Sequence, residues 1–343
     1  YTTLFRSGSD NYNYFSGVPQ DKWLVEPGQL LFSWAGTKGV SFGPFIWNGP
    51  KGVLNQHIYK VFANENVHGH WLYLALLHIT QKIEAQAHGF KSTLLHVQKK
   101  DIDNQFVLTP PVAEQKKIAQ ILSTWDNAIS VTEKLLTNSQ LQKKALMQKL
   151  LTGKKRLLDE RGVRYGGEWH RAELGAVLDY MQPTPYLVDS TDYNDSYSIP
   201  VLTAGKSFIL GYTNEEHGIY HAPLPAIIFD DFTTDSKFVD FEFKAKSSAM
   251  KILTAKKGVS AKYIFEAMQM LKFKIGGHQR HWISIYSNLV IPIPDAKEQQ
   301  KIASALSTAD AEISTLEKKL ACLKDEKKAL MQQLLTGKRR VKV

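Results

Sequence analysis

The sequence predicts an α+β protein in which two mixed α/β domains are separated by two long antiparallel helices that pair as a coiled-coil spacer. Three observations predict this class. One segment of 43 residues occurs twice, both copies carry a heptad pattern of apolar residues, and the stretches outside the copies are rich in glycine, aromatic and β-branched residues. A chain of 343 residues is also longer than a single hydrophobic core usually supports.

The repeated segment aligns residues 114–156 with residues 298–340 at a constant offset of 184 and without a gap. Of its 43 positions, 26 are identical between the two copies. The period is too long for a solenoid, so it indicates tandem duplication of a unit that consists of a globular domain and a long helix. Duplicated units tend to be related by a two-fold axis, and such a pseudo-two-fold makes the helices antiparallel, with the domains expected at opposite ends.

Each copy alternates apolar residues by four and three positions, which is the pattern of a coiled-coil seam. No proline or glycine interrupts the helical part of either copy, and Gly153 and Gly337 follow, where helices commonly stop. Helices of about 40 residues are expected to be roughly 60 Å long. Lys143 and Lys327 also fall on the seam, where a lysine specifies register or extends to water. The predicted apolar seam residues are Ile118, Leu122, Trp125, Ile129, Leu136, Leu146, Leu150, Ile302, Leu306, Ile313, Leu316, Leu320, Leu323, Leu330 and Leu334.

These patterns divide the chain into six segments. In chain order they are a first domain (1–111), a first long helix (112–153), a charged linker (154–165), a second domain (166–295), a second long helix (296–337) and a basic tail (338–343). The stretch from Gly166 to Leu178 opens the second domain, and nothing similar opens the first. We therefore expect the first domain to lack its first strand or two.

The second domain carries clear strand signals. Residues 238–246 alternate strictly between apolar and polar side chains, which predicts one half-buried strand. The predicted core-facing residues are Val239, Phe241, Phe243 and Ala245. The predicted solvent-facing residues are Asp240, Glu242, Lys244 and Lys246. Residues 224–232 are predicted to form a buried strand followed by a turn.

The composition favours an anionic partner and excludes several kinds of site. The formal net charge of +10 favours nucleic acid. Cys322 is the single cysteine, which excludes a disulfide framework and a cysteine-rich zinc site. No apolar run reaches the roughly 18 residues that predict a membrane span.

Several motifs resemble those of a known family. The pattern EQ.KIA..LS..D..I opens both long helices, and LLTGK.R closes them. The second domain opens on Trp169, Leu174 and Gly175 and contains IIFDDFTT at residues 227–234, while the first contains LNQH at residues 54–57. Over nearly the whole chain this pattern resembles the specificity (S) subunit of type I restriction–modification enzymes. The missing opening of the first domain is a departure from it.

The resemblance implies a non-catalytic subunit with two target recognition domains, each of which reads one half of a bipartite, asymmetric DNA site. It implies that the paired helices set the gap between the halves and dock two modification subunits, which methylate adenine with S-adenosylmethionine. In the full enzyme it implies two restriction subunits that use ATP and Mg²⁺, and a place in the prokaryotic cytoplasm. It implies no cofactor and no metal on this chain.

Loops with basic and hydrogen-bonding side chains are the candidates for DNA contact, because the major groove is read through donor and acceptor groups. For each residue the plain alternative is a solvated loop side chain or a satisfied turn. In the second domain the candidates are Thr203, Lys206, Thr233, Thr234, Lys244, Lys246, Ser247, Ser248, Lys251, Gln279 and Arg280. In the first domain they are Trp34, Thr37, Lys38, Asn55, Gln56, His57 and Lys91.

Two other functions stay open at this stage. Asp230 or Asp231 with Glu242 and Lys244 has the acidic, acidic-x-Lys spacing of a metal-dependent nuclease, which would make the chain a single-chain enzyme of the restriction class. The other is a coiled-coil scaffold without sequence-specific DNA binding. The sequence contains no phosphate-binding loop and no methyltransferase motif. The histidines of residues 68–78 have no acidic partner at helical spacing, so no metal site is predicted.

Overall fold

The computed structural model describes residues 2–3, 13–86, 94–203, 207–271 and 281–343. They form an α+β protein, as predicted, that divides into two compact units. Unit 1 contains residues 1–134 and 317–343, and unit 2 contains residues 135–316. Each unit therefore combines one globular domain with parts of both long helices, whereas the sequence patterns place the divisions at the helix ends.

Unit 1 is built from short strands that pack with helices. Its strands are β1 (Thr2–Thr3), β2 (Asn13–Tyr14), β3 (Leu24–Val25), β4 (Leu30–Ser33), β5 (Ala35–Thr37), β6 (Gly43–Ile46), β7 (Gly52–Val53), β8 (Ile58–Lys60) and β9 (Leu94–His96). Its helices are α1 (Gly69–Gln86), α2 (Lys99–Asp103) and the first part of α3 (Val112–Leu150), and it also contains the end of the second long helix. Strand β4 lies between β6 and β8 in an antiparallel sheet, and β3 with β7 and β5 with β9 form antiparallel pairs.

Unit 2 has longer strands and a larger core. Its strands are β10 (His170–Glu173), β11 (Leu178–Met181), β12 (Ile199–Leu202), β13 (Ile209–Thr213), β14 (Ala226–Asp230), β15 (Ser236–Val239), β16 (Lys244–Ala245), β17 (Met250–Ala255) and β18 (Val290–Ile293). Its helices are α4 (Leu174–Val177), α5 (Ala261–Gln269), α6 (His281–Ser284) and the first part of α7 (Ala296–Leu335), and it also contains the end of α3. An antiparallel sheet has the order β11-β17-β14-β15, a second has the order β13-β12-β16, and β10 pairs with β18.

The continuous strand predicted for residues 238–246 is wrong. Strand β15 ends at Val239, and β16 covers only Lys244 and Ala245. Phe241 is 36% exposed although it was predicted to face the core, and Lys244 is fully buried although it was predicted to face solvent. The pleat is interrupted between the two strands, so the two-residue period does not carry through.

The two long helices begin at the residues predicted for them. Helix α3 ends at Leu150, three residues before the predicted end, and α7 ends at Leu335, two residues before it. Gly153 and Gly337 follow with φ values of 72° and 71°, a left-handed conformation that glycine adopts without steric cost. Among the described residues, no helix is long and apolar enough to cross a membrane.

Within each unit, the beginning of one long helix packs against the end of the other, so the antiparallel prediction is confirmed. In unit 1, Ile118 and Leu122 share a core with Met331 and Leu334. Adding or subtracting 184 gives the equivalent residues of the unit 2 core, which are Ile302, Leu306, Met147 and Leu150. The residues predicted for the seam are all buried or half-buried.

Ion pairs related by the same repeat connect the helices. In unit 2 the seam residue Lys143 places its Nζ 2.5 Å from Asp310 Oδ1. In unit 1 the other seam lysine, Lys327, pairs with Asp126. The two seam lysines therefore reach a carboxylate on the neighbouring helix, where they fix the register of the antiparallel pair.

A second pair of ion pairs lies at the helix ends. Arg156 donates through Nε and Nη2 to the two carboxylate oxygens of Glu298, both at 2.6 Å. Arg340 binds Glu114 in the same bidentate way, at 2.8 and 2.6 Å. Two parallel charge-assisted hydrogen bonds give both strength and a defined orientation. The arginine three residues after each glycine thus binds the start of the other long helix.

Gln115 and Gln299, from the two EQ motifs, connect each domain to its long helix. The side-chain oxygen of Gln299 accepts from the Ser260 N–H at the start of α5 at 2.9 Å, and its amide donates to the Pro294 carbonyl at 2.8 Å. Gln115 accepts from the His68 N–H, which precedes α1, at 2.7 Å. Both glutamines are buried, so these bonds satisfy groups that water does not reach.

We expect Gln299→Ala to lower the free energy of unfolding by about 1–3 kcal/mol, because it leaves buried backbone groups without a partner. Urea unfolding followed by circular dichroism measures the change. Gln142→Ala, at an exposed position of α3, is the matched control and should change the free energy by less than about 0.5 kcal/mol. Equal losses in both variants would contradict the role given to Gln299.

Candidate nucleic-acid interface

Three loops of unit 2 meet at one end of its sheets. The turn after β14 lies beside the loop before β17, because these strands pair with Asp230 opposite Met250. The loop after β12 joins them, because the Lys246 N–H donates to the Leu202 carbonyl at 2.9 Å. This arrangement brings together six of the predicted DNA-contact residues, namely Thr203, Thr233, Thr234, Lys246, Ser247 and Ser248.

The turn after β14 has a fixed backbone and an exposed tip. The Asp230 carboxylate accepts from the N–H groups of Phe232 at 2.8 Å and Thr233 at 3.2 Å. Thr234 has a φ of 61°, a left-handed conformation that costs a β-branched residue about 1 kcal/mol or more. Phe232 and Thr233 are exposed at the tip. The turn therefore presents an aromatic ring and a hydroxyl group in a set orientation.

Asp231 anchors this turn in the interior of unit 2. Its carboxylate lies 3.1 Å from Lys251 Nζ and accepts from the Trp282 N–H at 2.9 Å. Its carbonyl accepts from the His281 N–H at 3.0 Å. Because Asp231 is 1% exposed, these bonds replace all of its contact with water and hold the turn against α6. The sequence does not distinguish this role from that of the adjacent Asp230.

The prediction that Lys244 and Lys251 contact DNA is wrong. Both side chains are fully buried. Lys244 Nζ lies 2.7 Å from Glu215 and also donates to the His217 carbonyl at 2.7 Å. Lys251 pairs with the Asp231 carboxylate. A buried ammonium group needs a counter-charge and hydrogen-bond acceptors, so these lysines are held inside the domain and do not reach a duplex.

Glu215 belongs to a cluster with Asp189 and His217, whose potential metal-ligating atoms lie within 4.8 Å of one another. Burial raises the pKa of Glu215, but hydrogen bonds from Lys244 and the N–H groups of Ser190 and Asp189, together with the Lys244 charge, lower it to about 2. The ammonium group of Lys244 already supplies the positive charge for this carboxylate. We therefore assign no metal to the cluster.

The remaining candidates of unit 2 differ in their freedom to contact DNA. Lys246 is half-buried, with its Nζ 5.7 Å from the centre of the Tyr193 ring. Thr203 donates to the Ser207 carbonyl at 3.3 Å, while Ser247 and Ser248 are exposed. Lys206, Gln279 and Arg280, and Lys91 of unit 1, lie outside the described residues and stay predictions.

In unit 1, Trp34 is part of an aromatic cluster. Its ring centre lies 4.9 Å from that of His57 and 4.6 Å from that of His96, and it stacks on Tyr59 at 6.1 Å. The backbone N–H of Trp34 donates to the His57 carbonyl at 3.1 Å, so two of the residues predicted to contact DNA are neighbours. Packing of this kind explains the presence of Trp34 without a DNA contact.

The other candidates of unit 1 are in turns. The Asn55 side chain accepts from the His57 N–H at 3.1 Å, and Gln56 is exposed beside it. Thr37 ends β5 and is half-buried, while the exposed Lys38 donates to the Glu84 carbonyl at 3.2 Å. These residues stay candidates for DNA contact, with Gln56 and Lys38 the more exposed ones.

A cleft of about 830 Å³ in unit 1 was not predicted. Asn55 and Gln56 line it together with four aromatic residues and two basic ones, which are Phe15, Trp23, Tyr59, Phe62, Lys22 and Lys60. Aromatic and basic side chains in one groove are typical of nucleic-acid-binding surfaces. The sequence did not reveal the cleft because its residues come from separate strands and turns, and no local pattern joins them.

The nuclease site considered for residues 230–244 is not assembled. Asp230 uses its carboxylate to bind the backbone of its own turn. Glu242 pairs with His221 at 2.8 Å, and Lys244 pairs with Glu215. Asp230, Glu242 and Lys244 are thus each bound to a different partner. The two carboxylates are not left free as a pair that could hold a metal ion.

Comparisons with known proteins agree on one family. The model of the type I restriction modification DNA specificity domain matches residues 3–139 and 167–324. A stretch covering 39% of the chain is 55% identical over 139 residues to the type I restriction enzyme EcoR124I/EcoR124II specificity subunit of Escherichia coli. This match spans 34% of that relative's length.

Two further matches extend over most of the chain. The type I restriction enzyme MjaVIII specificity subunit of Methanocaldococcus jannaschii is 25% identical over 370 aligned positions, which cover 96% of the chain and 83% of that relative. The crystal structure of a type I restriction-modification system S subunit from M. genitalium is similar in fold, with a TM-score of 0.63 at 14% identity. That likeness covers 98% of this chain and 88% of the other.

We expect Glu215→Gln to destabilise unit 2 by about 3–5 kcal/mol at neutral pH, because Lys244 stays buried without its counter-charge. The folded-state pKa of Glu215, about 2, lies below the ordinary value of 4.5. The stabilisation is therefore present above about pH 4.5 and is lost as the pH falls toward 2.

Urea unfolding between pH 7 and pH 2 measures this effect, and the difference between the variant and the original protein should shrink in the acidic range. Glu216→Gln, at the exposed neighbouring position, is the matched control. A difference that stays constant down to pH 2 would show that the Glu215 charge is not its cause.

Proposed function

This chain belongs to the family of type I restriction–modification specificity subunits, as a non-catalytic subunit with two tandem recognition domains, and from this premise we propose that it reads a bipartite, asymmetric DNA site. Each domain reads one half of the site. The paired helices α3 and α7 set the number of base pairs between the halves.

One observation supports this proposal. The two long helices with the ion pairs between them, which we call the frame, repeat the same contacts in both units, whereas the domain sheets do not repeat. The same cores, lysine–aspartate pairs and arginine–glutamate pairs occur in both units. The sheets they support differ, with the order β6-β4-β8 in unit 1 and β11-β17-β14-β15 in unit 2. Two unlike reading surfaces on matched halves of one frame suit a target whose two halves differ in sequence.

For unit 2 we propose that the three loops beside Asp230 enter the major groove. Thr233, Ser247 and Ser248 offer hydroxyl groups that donate to or accept from base edges, and Lys246 offers positive charge for phosphate. For unit 1 we propose contacts from Gln56 and Lys38, with Asn55, Thr37, His57 and Trp34 nearer the interior. The net charge of +10 supplies attraction to the backbone that weakens as salt is added.

The partners follow from the same premise. We propose that the helix pair docks two modification subunits, which hold S-adenosylmethionine, and that two restriction subunits with ATP and Mg²⁺ complete the enzyme. This chain itself holds no cofactor in our proposal. Because its substrate is cellular DNA, we place the complex in the prokaryotic cytoplasm.

Methylation profiling tests the proposal. Cells carrying this chain and its modification subunits should acquire methylated adenine at one bipartite sequence, and the purified complex should bind that duplex more tightly than others, with an affinity that falls as salt rises. Equal binding to all duplexes would favour a non-specific scaffold instead. Methyl transfer by this chain without its partners would overturn the non-catalytic assignment.

The spacer role of the helices generates a second prediction. Duplicating residues 132–138 of α3 and residues 316–322 of α7 adds one heptad to each helix at matched positions, so the seam continues. Seven residues lengthen a helix by about 10 Å, which corresponds to roughly three base pairs of duplex at about 3.4 Å each.

We expect methylation profiling of this variant to give the same two half-sites with a gap longer by about three base pairs. As a control, the exposed substitution Gln142→Ala, which leaves the helix length unchanged, should keep both the half-sites and the gap. Altered half-site sequences with an unchanged gap would rule out the spacer role.

A further inference from the structure

The turn after β14 carries an exposed phenylalanine at its tip. Phe232 is 38% exposed and belongs to none of the hydrophobic clusters that the described residues form. Phe229, three residues earlier, is fully buried and packs against Trp282 and Tyr286. A single exposed apolar side chain is common on protein surfaces, so the meaning of Phe232 depends on how its backbone is held.

The backbone on both sides of Phe232 is held by hydrogen bonds. Its own N–H donates to the Asp230 carboxylate at 2.8 Å, and the Thr234 N–H donates to the Asp230 carbonyl at 2.9 Å. The Asp231 N–H donates to the Ala249 carbonyl at 3.2 Å, which joins the turn to the loop before β17. Thr234 keeps its left-handed φ of 61° within this arrangement, and backbone strain of this kind is typical of functional sites.

The two carboxylates that precede Phe232 are bound in the interior of unit 2. Asp230 is 9% exposed and accepts from backbone N–H groups of its own turn. Asp231 is 1% exposed and lies 3.1 Å from Lys251 Nζ. Because DNA is a polyanion, exposed carboxylates at this place would repel it. Their burial leaves the ring of Phe232 and the hydroxyl group of Thr233 at the tip.

The hydroxyl and lysine side chains of these loops do not by themselves distinguish thymine from cytosine. Thr233, Ser247 and Ser248 carry hydroxyl groups, which both donate and accept, so they bind the O4 acceptor of thymine and the N4 donor of cytosine alike. Lys246 suits a phosphate group, which carries no sequence information. The two bases also differ at C5, where thymine has a methyl group that an apolar side chain contacts in the major groove.

We propose that Phe232 is a specificity-determining residue that contacts the C5-methyl group of one thymine in the half-site read by unit 2. This inference rests on the proposed entry of the three loops into the major groove, and it names the residue and the base that one contact joins. The contact removes the methyl group and part of the ring from water. Because the turn is already held by hydrogen bonds, little further ordering is needed. A cytosine at the same position has no methyl group and leaves the ring without this contact.

Replacing thymine by uracil tests this contact, because it removes the methyl group and keeps every base-pairing group. Methylation profiling first identifies the bipartite target. The chain in complex with its modification subunits is then titrated with duplexes that carry uracil in place of one thymine at a time. We expect uracil at one position of one half-site to weaken binding by about fourfold, as the loss of one buried methyl group implies. In Phe232→Ala, the duplexes with thymine and with uracil at this position should bind equally.

Phe241→Ala is the matched control. Phe241 is 36% exposed and follows β15, whose last residue Val239 pairs with Ala226 at the start of β14, so it lies at the opposite end of this strand pair from Phe232. This variant should keep the difference between thymine and uracil. Phe232→Leu, which keeps an apolar side chain at the tip, should retain part of that difference.

The possible outcomes separate this inference from the proposed function. Selective binding by the original protein without any uracil-sensitive position would overturn the inference alone. A uracil effect that persists unchanged in Phe232→Ala would do the same, because another group would then contact the methyl. Binding without preference for one bipartite duplex would overturn the proposed function and the inference with it.

Discussion

Burial of the apolar stripe on each long helix is the constraint on which the rest of the structure depends. In unit 1 the stripe around Ile118 and Leu122 is covered by the end of α7 and by Trp71 of α1. In unit 2 the stripe around Ile302 and Leu306 is covered by the end of α3 and by residues of the domain core. A single helix of this length would leave the stripe in water, so neither half of the frame is complete without the other helix.

Apolar contacts alone do not fix the register of such a helix pair. Ion pairs between charged side chains fix it. The pairs Lys143–Asp310 and Arg156–Glu298 connect the helices at two points in unit 2. Because a buried or half-buried ion pair is costly to break, a shift of one helical turn is disfavoured even where the apolar stripe would tolerate it. A fixed register makes the pair suitable as a spacer, since a length is defined only if the helices do not slide.

Buried charge has a second role inside the recognition domain of unit 2. Asp231 with Lys251 holds the base of the exposed turn, and Glu215 with Lys244 connects segments that are distant in sequence. Such pairs add little net stability compared with apolar packing, but they set the orientation of the groups around them. The turn that carries Phe232, Thr233 and the strained Thr234 is thus ordered in the protein alone, and the DNA contact that we propose for it would cost less entropy for that reason.

The amino-acid order alone predicted the duplication, the seam, the starts of both long helices and the antiparallel pairing, because each follows from a period or a repeat that can be read directly from the sequence. It also pointed to the loops of the candidate interface, through their residue types. Only the tertiary structure decided that Lys244 and Lys251 are interior, since their partners Glu215 and Asp231 lie 29 and 20 residues away and no periodicity connects them.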